Sequence, residues 1–308
     1  MRGAIIERAV HRRPPQEPRQ RRTASQRAQH LATPRHDRRR PAFTTRSPGT
    51  RSSPVTQPVF DAHLHIIDPA HPLVANNGYL PDPFTVTDYQ NRTTGLNIQG
   101  GAVVSGSFQA FDQGYLIDAL HALGPTYVGV TQIPADTSDA RILALHEAGV
   151  RAIRFNVVRG GSASPDDLDR LARRVHDLAG WHTELYVDAR SLDGLEDRIA
   201  ALPAASIDHL GMHEDGLPTL LRLVERGVKV KATGFGRIDL DPTAAIRAIM
   251  RVDPTALMVG TDLPSTRARH PFRNEDFETI RQALEPEQVA DVFWNNAAAF
   301  YLGDAQST

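Results

Sequence analysis

The stretch that decides the fold is Val59-Phe60-Asp61-Ala62-His63-Leu64-His65-Ile66, an apolar run that ends in a His-x-His motif. Such a run is typical of a buried β-strand. Side chains alternate between the two faces of a strand, so we expect His63 and His65 on the same side. Two neighbouring imidazoles can bind a metal ion, polarise a carbonyl group or transfer protons. A His-x-His pair alone is equally compatible with a strand that has no chemical role.

A second polar strand end lies near the other end of the chain. Gly260-Thr261-Asp262 follows the apolar run Leu257-Met258-Val259. A first strand that ends in His-x-His and a last strand that ends in Asp262 suit a closed parallel barrel. In such barrels the catalytic groups gather at the C-terminal ends of the strands.

Between these two stretches, short apolar runs alternate with helical patterns. This alternation predicts βαβ units and a parallel sheet. Eight strands can be counted from Val59 to Asp262. The predicted fold class is therefore α/β, a (β/α)8 TIM barrel. A doubly wound sheet is the alternative, but no Gly-x-Gly-x-x-Gly motif follows any of the predicted strands.

Composition limits the chemistry and the location. The chain has 308 residues, of which 40% are hydrophobic, enough for one barrel and a tail. It contains no cysteine, which excludes disulfides, cysteine metal ligands and thiol nucleophiles. No apolar run is long enough to cross a bilayer, so we expect no membrane partner and a cytoplasmic location.

Residues 1–57 differ sharply in charge from the rest. They hold fourteen Arg and three acidic residues, a net charge of +11, whereas the remaining chain carries −12. Their Arg- and Pro-rich composition predicts a disordered extension that precedes a barrel over residues 58–308. A basic segment can bind phosphates, but this one lacks a series of interleaved aromatic residues. We therefore expect no specific nucleic-acid partner.

Polar residues at other strand ends are candidates for the same site. His209 follows Ile207-Asp208, where a core histidine is the competing interpretation. Asp262 would be costly to bury unless it is hydrogen-bonded or paired, and histidines are natural partners. Arg is rarely buried without a partner, so Arg154 at the barrel mouth is interpreted as binding a substrate carboxylate. Arg237 is a second candidate, with a surface ion pair as the alternative, and Tyr186 faces either the core or the substrate.

Four motifs together resemble the amidohydrolase superfamily: Asp-Ala-His-Leu-His (61–65), Ile-Asp-His-Leu-Gly (207–211), Lys-Ala-Thr-Gly-Phe-Gly-Arg (231–237) and Gly-Thr-Asp-Leu-Pro (260–264). The most similar branch is amidohydrolase-related family 2, which contains 2-pyrone-4,6-dicarboxylate lactonase and sugar lactonases. The similarity runs from about residue 58 to Leu302. It implies a hydrolytic TIM barrel. Comparison with the dicarboxylate lactonases assigns substrate contacts to Arg154, Ser107, Tyr186 and Arg237, while Arg159 is near a further substrate-binding position but out of register.

The resemblance also implies a mechanism. Asp262 would take a proton from water and direct the hydroxide at an ester carbonyl. His63, His65 and His209 would stabilise the oxyanion and help to protonate the departing oxygen. Metal-dependent members use His-x-His with the Asp, and His63, His65, His209 and Asp262 could hold one Zn²⁺. The fifth strand ends in Tyr186 rather than a histidine ligand, which favours an enzyme that requires no cofactor.

The expected function is hydrolysis of a lactone that carries a carboxylate, with a small molecule as the partner. Two alternatives belong to other classes. The same scaffold could support a metal-dependent decarboxylase or hydratase. Alternatively, an idle barrel could accompany a nucleic-acid-binding role of the basic extension. The complete set of His63, His65, His209 and Asp262 argues against an idle barrel.

Overall fold

The computed structural model describes residues 57–192 and 194–303. In this part of the chain, eight parallel strands are hydrogen-bonded in sequential order, so the TIM barrel is confirmed. Apart from Gln57, the extension predicted for residues 1–57 lies outside the described residues. The strands are β1 (Val59–Leu64), β2 (Ile98–Val104), β3 (Tyr127–Thr131), β4 (Val150–Asn156), β5 (His182–Tyr186), β6 (Ala205–Ile207), β7 (Lys229–Ala232) and β8 (Leu257–Val259).

Helices follow the strands and cover the outside of the barrel. Several begin at capping residues: Thr85 and Asp88 form a reciprocal capping box, and Asp241 accepts a hydrogen bond from the Thr243 amide at 2.9 Å. In the described ranges the α-helices are α1 (Val86–Arg92), α2 (Gly114–Leu123), α3 (Asp139–Glu147), α4 (Leu168–Ala179), α5 (Glu196–Ala200), α6 (Leu217–Glu225), α7 (Pro242–Val252), α8 (Asn274–Ala283) and α9 (Asn296–Leu302). None of the helices described is long and apolar enough to span a membrane.

Backbone hydrogen bonds join the first strand to the segment after the last one. The Asp262 amide donates to the His63 carbonyl at 2.7 Å, and the His65 amide donates to the Leu263 carbonyl at 2.8 Å. Because parallel strands present their C-terminal ends at the same edge, these bonds bring Asp262 directly beside the His-x-His motif.

The carboxylate of Asp61 strengthens the same junction. It is fully buried in β1 and accepts hydrogen bonds from the Thr261 amide at 2.8 Å, the Thr261 hydroxyl at 2.7 Å and the Tyr89 hydroxyl at 3.0 Å. Burial nevertheless raises the pKa of Asp61 to about 6, since these hydrogen bonds offset only part of the desolvation. Asp61 is therefore a structural residue of the motif and does not face the pocket.

The other end of the barrel is closed by α9. Tyr301 stacks on Phe60, with ring centroids 5.3 Å apart, and its hydroxyl donates to Glu184 inside the barrel. His182 opens β5 and packs against Phe300 at 4.0 Å between ring centroids. His182 therefore lies at the N-terminal ends of the strands, opposite the ends that carry His63 and His65.

Candidate active site

Three histidine rings lie together at the C-terminal ends of the strands. The ring centroids of His63 and His65 are 5.0 Å apart, and those of His63 and His209 are also 5.0 Å apart. All three side chains are buried. The chain has thus brought the strand-six histidine to the His-x-His motif, as the sequence predicted.

His209 occupies a conformation that non-glycine residues seldom adopt. Strand β6 ends at Ile207, and His209 follows with a left-handed φ of 52°. Its Nδ1 atom has no hydrogen-bond partner. A side chain at Gly234 would place its Cβ 2.5 Å from that nitrogen, so Gly234 leaves the space the ring needs. Strain of this kind in a buried polar residue is common where a side chain must be aimed at a ligand.

Asp262 faces two of the histidines. Its Oδ1 atom lies 3.6 Å from Nε2 of His65 and 3.8 Å from Nε2 of His63. Asp262 also has a left-handed φ, 58°, and is fully buried. His65 donates from Nδ1 to the Val104 carbonyl at 2.6 Å, because a carbonyl can only accept. This bond fixes the ring so that Nε2 faces Asp262.

Arg237 binds the carboxylate of Asp262 with two nitrogens. Its Nε atom is 2.6 Å from Oδ2, and an Nη atom is 3.2 Å from Oδ1. Burial alone would raise the pKa of Asp262, but Arg237 and the neighbouring histidines hold that pKa well below its usual range. Asp262 is therefore ionised at neutral pH. Arg237, which the sequence interpreted as a substrate contact, is in this state the partner of the candidate base.

Arg154 is paired in a similar way. Although its side chain reaches the site, it donates to Asp208 at 2.7 Å and to the Ser105 carbonyl at 2.9 Å. No described residue forms a hydrogen bond with its Nε–H. The guanidinium lies 5.5 Å from the ring centroid of Tyr186, whose buried hydroxyl also has no hydrogen-bond partner in the described part of the chain. One donor of Arg154 and the Tyr186 hydroxyl thus remain available to a ligand.

The resulting pocket holds about 340 Å³ of space, including its open mouth. Ser107 lies on its wall, as the resemblance implied. The pocket is lined by His65, Gly106, Ser107, Phe108, Arg154, Asn156, Arg159, Tyr186, His209, Arg237, Thr266 and Arg267. All four substrate-binding candidates predicted from the sequence (Arg154, Arg237, Tyr186 and Ser107) therefore border one cavity.

The outer part of this pocket contains two further arginines. Arg267 stacks on Tyr79 at 4.2 Å and donates to the side-chain oxygen of Asn76 at 3.0 Å. Asn76 in turn donates to the Arg159 carbonyl at 3.2 Å. Asn76 and Tyr79 thereby hold the long segment after β1 against two arginines that line the pocket. Within the described ranges, neither Arg159 nor Arg267 forms an ion pair with a carboxylate.

Below the histidines lies a buried charged group that the sequence reasoning missed. Lys231 of β7 donates to Glu184 of β5 and lies 3.6 Å from Asp208, and all three side chains are fully buried. The sequence carries a signal for Glu184. Side chains two residues apart in a strand point the same way, so Glu184 shares a face with Tyr186.

The donor set for a metal ion is present. One atom each from His63, His65 and Asp262 lie within 4.8 Å of one another, and so do atoms of His63, Asp208 and His209. These groups could bind a divalent metal such as zinc, which would lower the pKa of a bound water. However, both oxygens of Asp262 already bind Arg237, and Lys231 lies 3.4 Å from Nδ1 of His63. Two cations therefore compete with a metal for this donor set.

A family model described as amidohydrolase matches residues 60–302. The chain belongs to the amidohydrolase family. It is 31% identical over 156 residues to a 2-pyrone-4,6-dicarboxylate hydrolase of Comamonas testosteroni, a match that spans 49% of this chain and about half (51%) of that relative. It is also 25% identical over 229 residues to a D-galactarolactone isomerase of Agrobacterium fabrum strain C58, covering 68% of this chain and 77% of the relative.

The fold is shared with solved structures of low sequence identity. A crystal structure of an Agrobacterium tumefaciens protein without ligand superposes with a TM-score of 0.73 at 21% identity. The superposition covers 80% of this chain and 96% of that protein. At this identity the likeness supports the barrel fold alone.

Proposed function

We propose that this amidohydrolase-family protein hydrolyses the lactone ring of a small molecule that carries a carboxylate. The observation that carries the proposal is Asp262, an ionised and fully buried carboxylate beside His63 and His65 that is paired with Arg237 of the pocket wall. A carboxylate in that position can take a proton from water. The two relatives named above, a hydrolase and an isomerase of lactones, support the same substrate class.

In the proposed reaction, water lies between Asp262 and the ester carbonyl. Asp262 takes one proton, the oxygen of water bonds to the carbonyl carbon, and a tetrahedral oxyanion forms. When the ring C–O bond breaks, the departing oxygen takes the proton back from Asp262. His63 and His209 donate hydrogen bonds to the oxyanion, a contribution that is large where water is excluded, whereas the N–H of His65 is already bound to the Val104 carbonyl.

His63 and His209 act in this scheme as neutral rings. Burial lowers the pKa of His63 to about 4, with Lys231 and Arg154 lowering it further and Asp208 opposing them. Burial likewise holds the pKa of His209 well below its usual range. A neutral imidazole donates through its single N–H, and it carries no positive charge that would pair with the carboxylate of Asp262.

The carboxylate of the substrate is proposed to bind the arginines of the pocket. Arg154 has a free Nε–H, and Arg237 could exchange part of its contact with Asp262 for the substrate carboxylate. Such an exchange would also raise the basicity of Asp262 when substrate is present. The arginines at the entrance, Arg159 and Arg267, offer sites for a further anionic group.

We further propose that this reaction requires no metal. The support is electrostatic: the bidentate pair of Arg237 with Asp262 and the ammonium of Lys231 near His63 satisfy the groups a metal would need. The cytoplasmic location and the boundary between extension and barrel near residue 58 remain predictions from the sequence.

The test is a panel of lactones with and without a carboxylate, incubated with purified protein in ¹⁸O-labelled water, before and after dialysis against a chelator. We expect ring opening of carboxylated lactones, one ¹⁸O atom in the new carboxylate, and activity that survives chelation. A rearranged lactone without ¹⁸O would indicate isomerisation instead. Activity that is lost on chelation and restored by zinc would contradict the metal-free mechanism.

A further inference from the structure

Lys231 lies beneath the histidines and has no role in the reaction as derived so far. It is fully buried on β7, where an ammonium is costly unless its N–H groups are satisfied. Three acceptors surround it. Its Nζ donates to Oε2 of Glu184, lies 3.4 Å from Nδ1 of His63, and lies 3.6 Å from Oδ1 of Asp208. Glu184 and His63 are within hydrogen-bond distance of the ammonium, and Asp208 adds a negative charge beside it.

Glu184 holds this ammonium in place. The carboxylate accepts from Lys231 through Oε2, while Oε1 accepts from the Tyr301 hydroxyl and faces Nε2 of His182 at 3.3 Å. Lys231 lowers the pKa of Glu184 to about 2 despite complete burial. Glu184 itself makes no contact with His63. It therefore fixes the position of Lys231 from the side away from the pocket.

The contact with Lys231 bears on where the ring proton of His63 resides. An ammonium has donors and no acceptor, so a hydrogen bond between Nζ and Nδ1 requires a lone pair on Nδ1. The neutral ring then carries its proton on Nε2. That atom lies 3.8 Å from Oδ1 of Asp262, and it is buried without a hydrogen-bond partner among the described residues.

Asp208 would favour the opposite arrangement. Its Oδ1 atom lies 3.3 Å from Nδ1 of His63, and a carboxylate there would accept a proton carried by Nδ1. However, Oδ1 has no hydrogen bond of good geometry among the described residues, whereas Oδ2 is bound to Arg154 at 2.7 Å. The charge of Asp208 is balanced by Arg154 and by Lys231, so Asp208 and Lys231 compete for Nδ1 of His63.

We propose that Lys231 is a positioning residue that keeps His63 in the tautomer with its proton on Nε2, so that this N–H donates to the oxyanion. The proposal rests on the proposed lactone hydrolysis for its catalytic part only. Without Lys231, Asp208 at 3.3 Å is the remaining partner of Nδ1. The ring proton then moves to Nδ1, and Nε2 presents a lone pair to a developing negative charge.

The direct measurement is ¹⁵N NMR of the histidine rings in the full-length protein, with the His63 signals assigned by their loss in a His63→Gln variant. We expect a protonated Nε2 and an unprotonated Nδ1 in the wild type at neutral pH. In Lys231→Met the proton should move to Nδ1. A wild-type His63 with its proton on Nδ1 would overturn the proposal, whatever the activity.

The kinetic measurement separates positioning from binding. Since removing one oxyanion donor costs about a hundredfold to a thousandfold in kcat, we expect Lys231→Met to lower kcat by at least about tenfold. KM should change little, because Lys231 does not line the pocket. An unchanged kcat in a folded variant with the altered tautomer would refute the positioning role. If His63 shows the predicted tautomer but the protein opens no lactone, only the proposed function is refuted, and the assignment of the Lys231 contact stands.

A second variant guards against misfolding. Lys231→Met leaves Glu184 charged and buried, which is costly, whereas Lys231→Met/Glu184→Gln removes both charges of the pair together. The double variant should show the same shift of the ring proton and the same loss of kcat. Glu184→Gln alone, which retains the ammonium beside His63, is the matched control and should keep the proton on Nε2. Loss of that tautomer in the control would contradict the assignment to Lys231.

Discussion

Removing the guanidinium of Arg237 should have two separable effects on the enzyme. The group contacts Asp262 through two bonds, at 2.6 and 3.2 Å, and both side chains are buried, so water cannot replace it well. Arg237→Met should therefore weaken the binding of a carboxylated substrate and also change the basicity of Asp262. The first effect appears in KM and the second in the pH dependence of kcat/KM.

The magnitudes follow from the contacts. A lost charge-assisted hydrogen bond is worth about 1.5–3 kcal/mol, which corresponds to a rise in KM of about tenfold to a hundredfold. An opposite charge at this distance lowers the pKa of a carboxylate by about 1–3 units, so its removal should raise the pKa of Asp262 by that amount. Asp262 acts as a base only when ionised. The acid limb of kcat/KM should therefore move to higher pH in Arg237→Met.

The assay is kcat/KM for one carboxylated lactone from about pH 2 to about pH 8, because the pKa of Asp262 lies well below the usual range of a carboxyl group and should rise by only a few units in Arg237→Met. Arg154→Met is the matched comparison, because it removes the same charge next to Asp208 rather than Asp262. It should raise KM and leave the acid limb in place. If the acid limb of Arg237→Met coincides with that of the wild type, Asp262 is not the base or Arg237 does not control it.

Three further results are expected. Asp262→Asn should retain the fold and lose several orders of magnitude in turnover, and more than a tenth of wild-type activity in the folded variant would contradict a base role. Dialysis against a chelator should leave turnover unchanged and elemental analysis should find substoichiometric zinc, whereas one tightly held equivalent per chain would contradict this. The pKa of Asp61 is raised to about 6, so its contribution to folding stability is present at acidic pH and is lost as pH rises from about 4 to 6. In urea unfolding, the free energy of unfolding of Asp61→Asn minus that of the wild type should therefore rise by about 3 kcal/mol between about pH 4 and about pH 7. A difference that does not depend on pH would refute this assignment.

The sequence predicted the barrel and the grouping of His63, His65, His209 and Asp262 because strand order fixes them. Once the chain is known to form a closed parallel ring, the first and last strands must be neighbours, and their C-terminal ends must meet. The hydrogen bond from the Asp262 amide to the His63 carbonyl joins these two strand ends. Neither observation requires knowledge of any loop conformation.

The ion pairs could not be predicted in the same way. Whether a guanidinium meets a substrate or a neighbouring carboxylate depends on where the loops place it, and Arg237 lies in a loop beyond the end of β7. In the sequence, Asp208 is only the residue before His209, and that order does not show that its carboxylate reaches Arg154. The sequence does not indicate the role of Lys231, because a lysine within an apolar strand gives no periodic signal that distinguishes a buried ammonium from an exposed one.

The balance of charge around the pocket supports an anionic ligand. Asp262 is matched by Arg237, Asp208 by Arg154, and Glu184 by Lys231. Arg159 and Arg267 also line the pocket, and in the ranges that the structure describes neither has a carboxylate partner. Arg237, Arg154 and Lys231 each form an ion pair with a buried carboxylate. Among the described residues of the pocket, the positive charge without a paired carboxylate therefore lies at the entrance, on Arg159 and Arg267. A carboxylated substrate would pass these two arginines first, and the attraction should weaken with salt because the entrance is partly exposed.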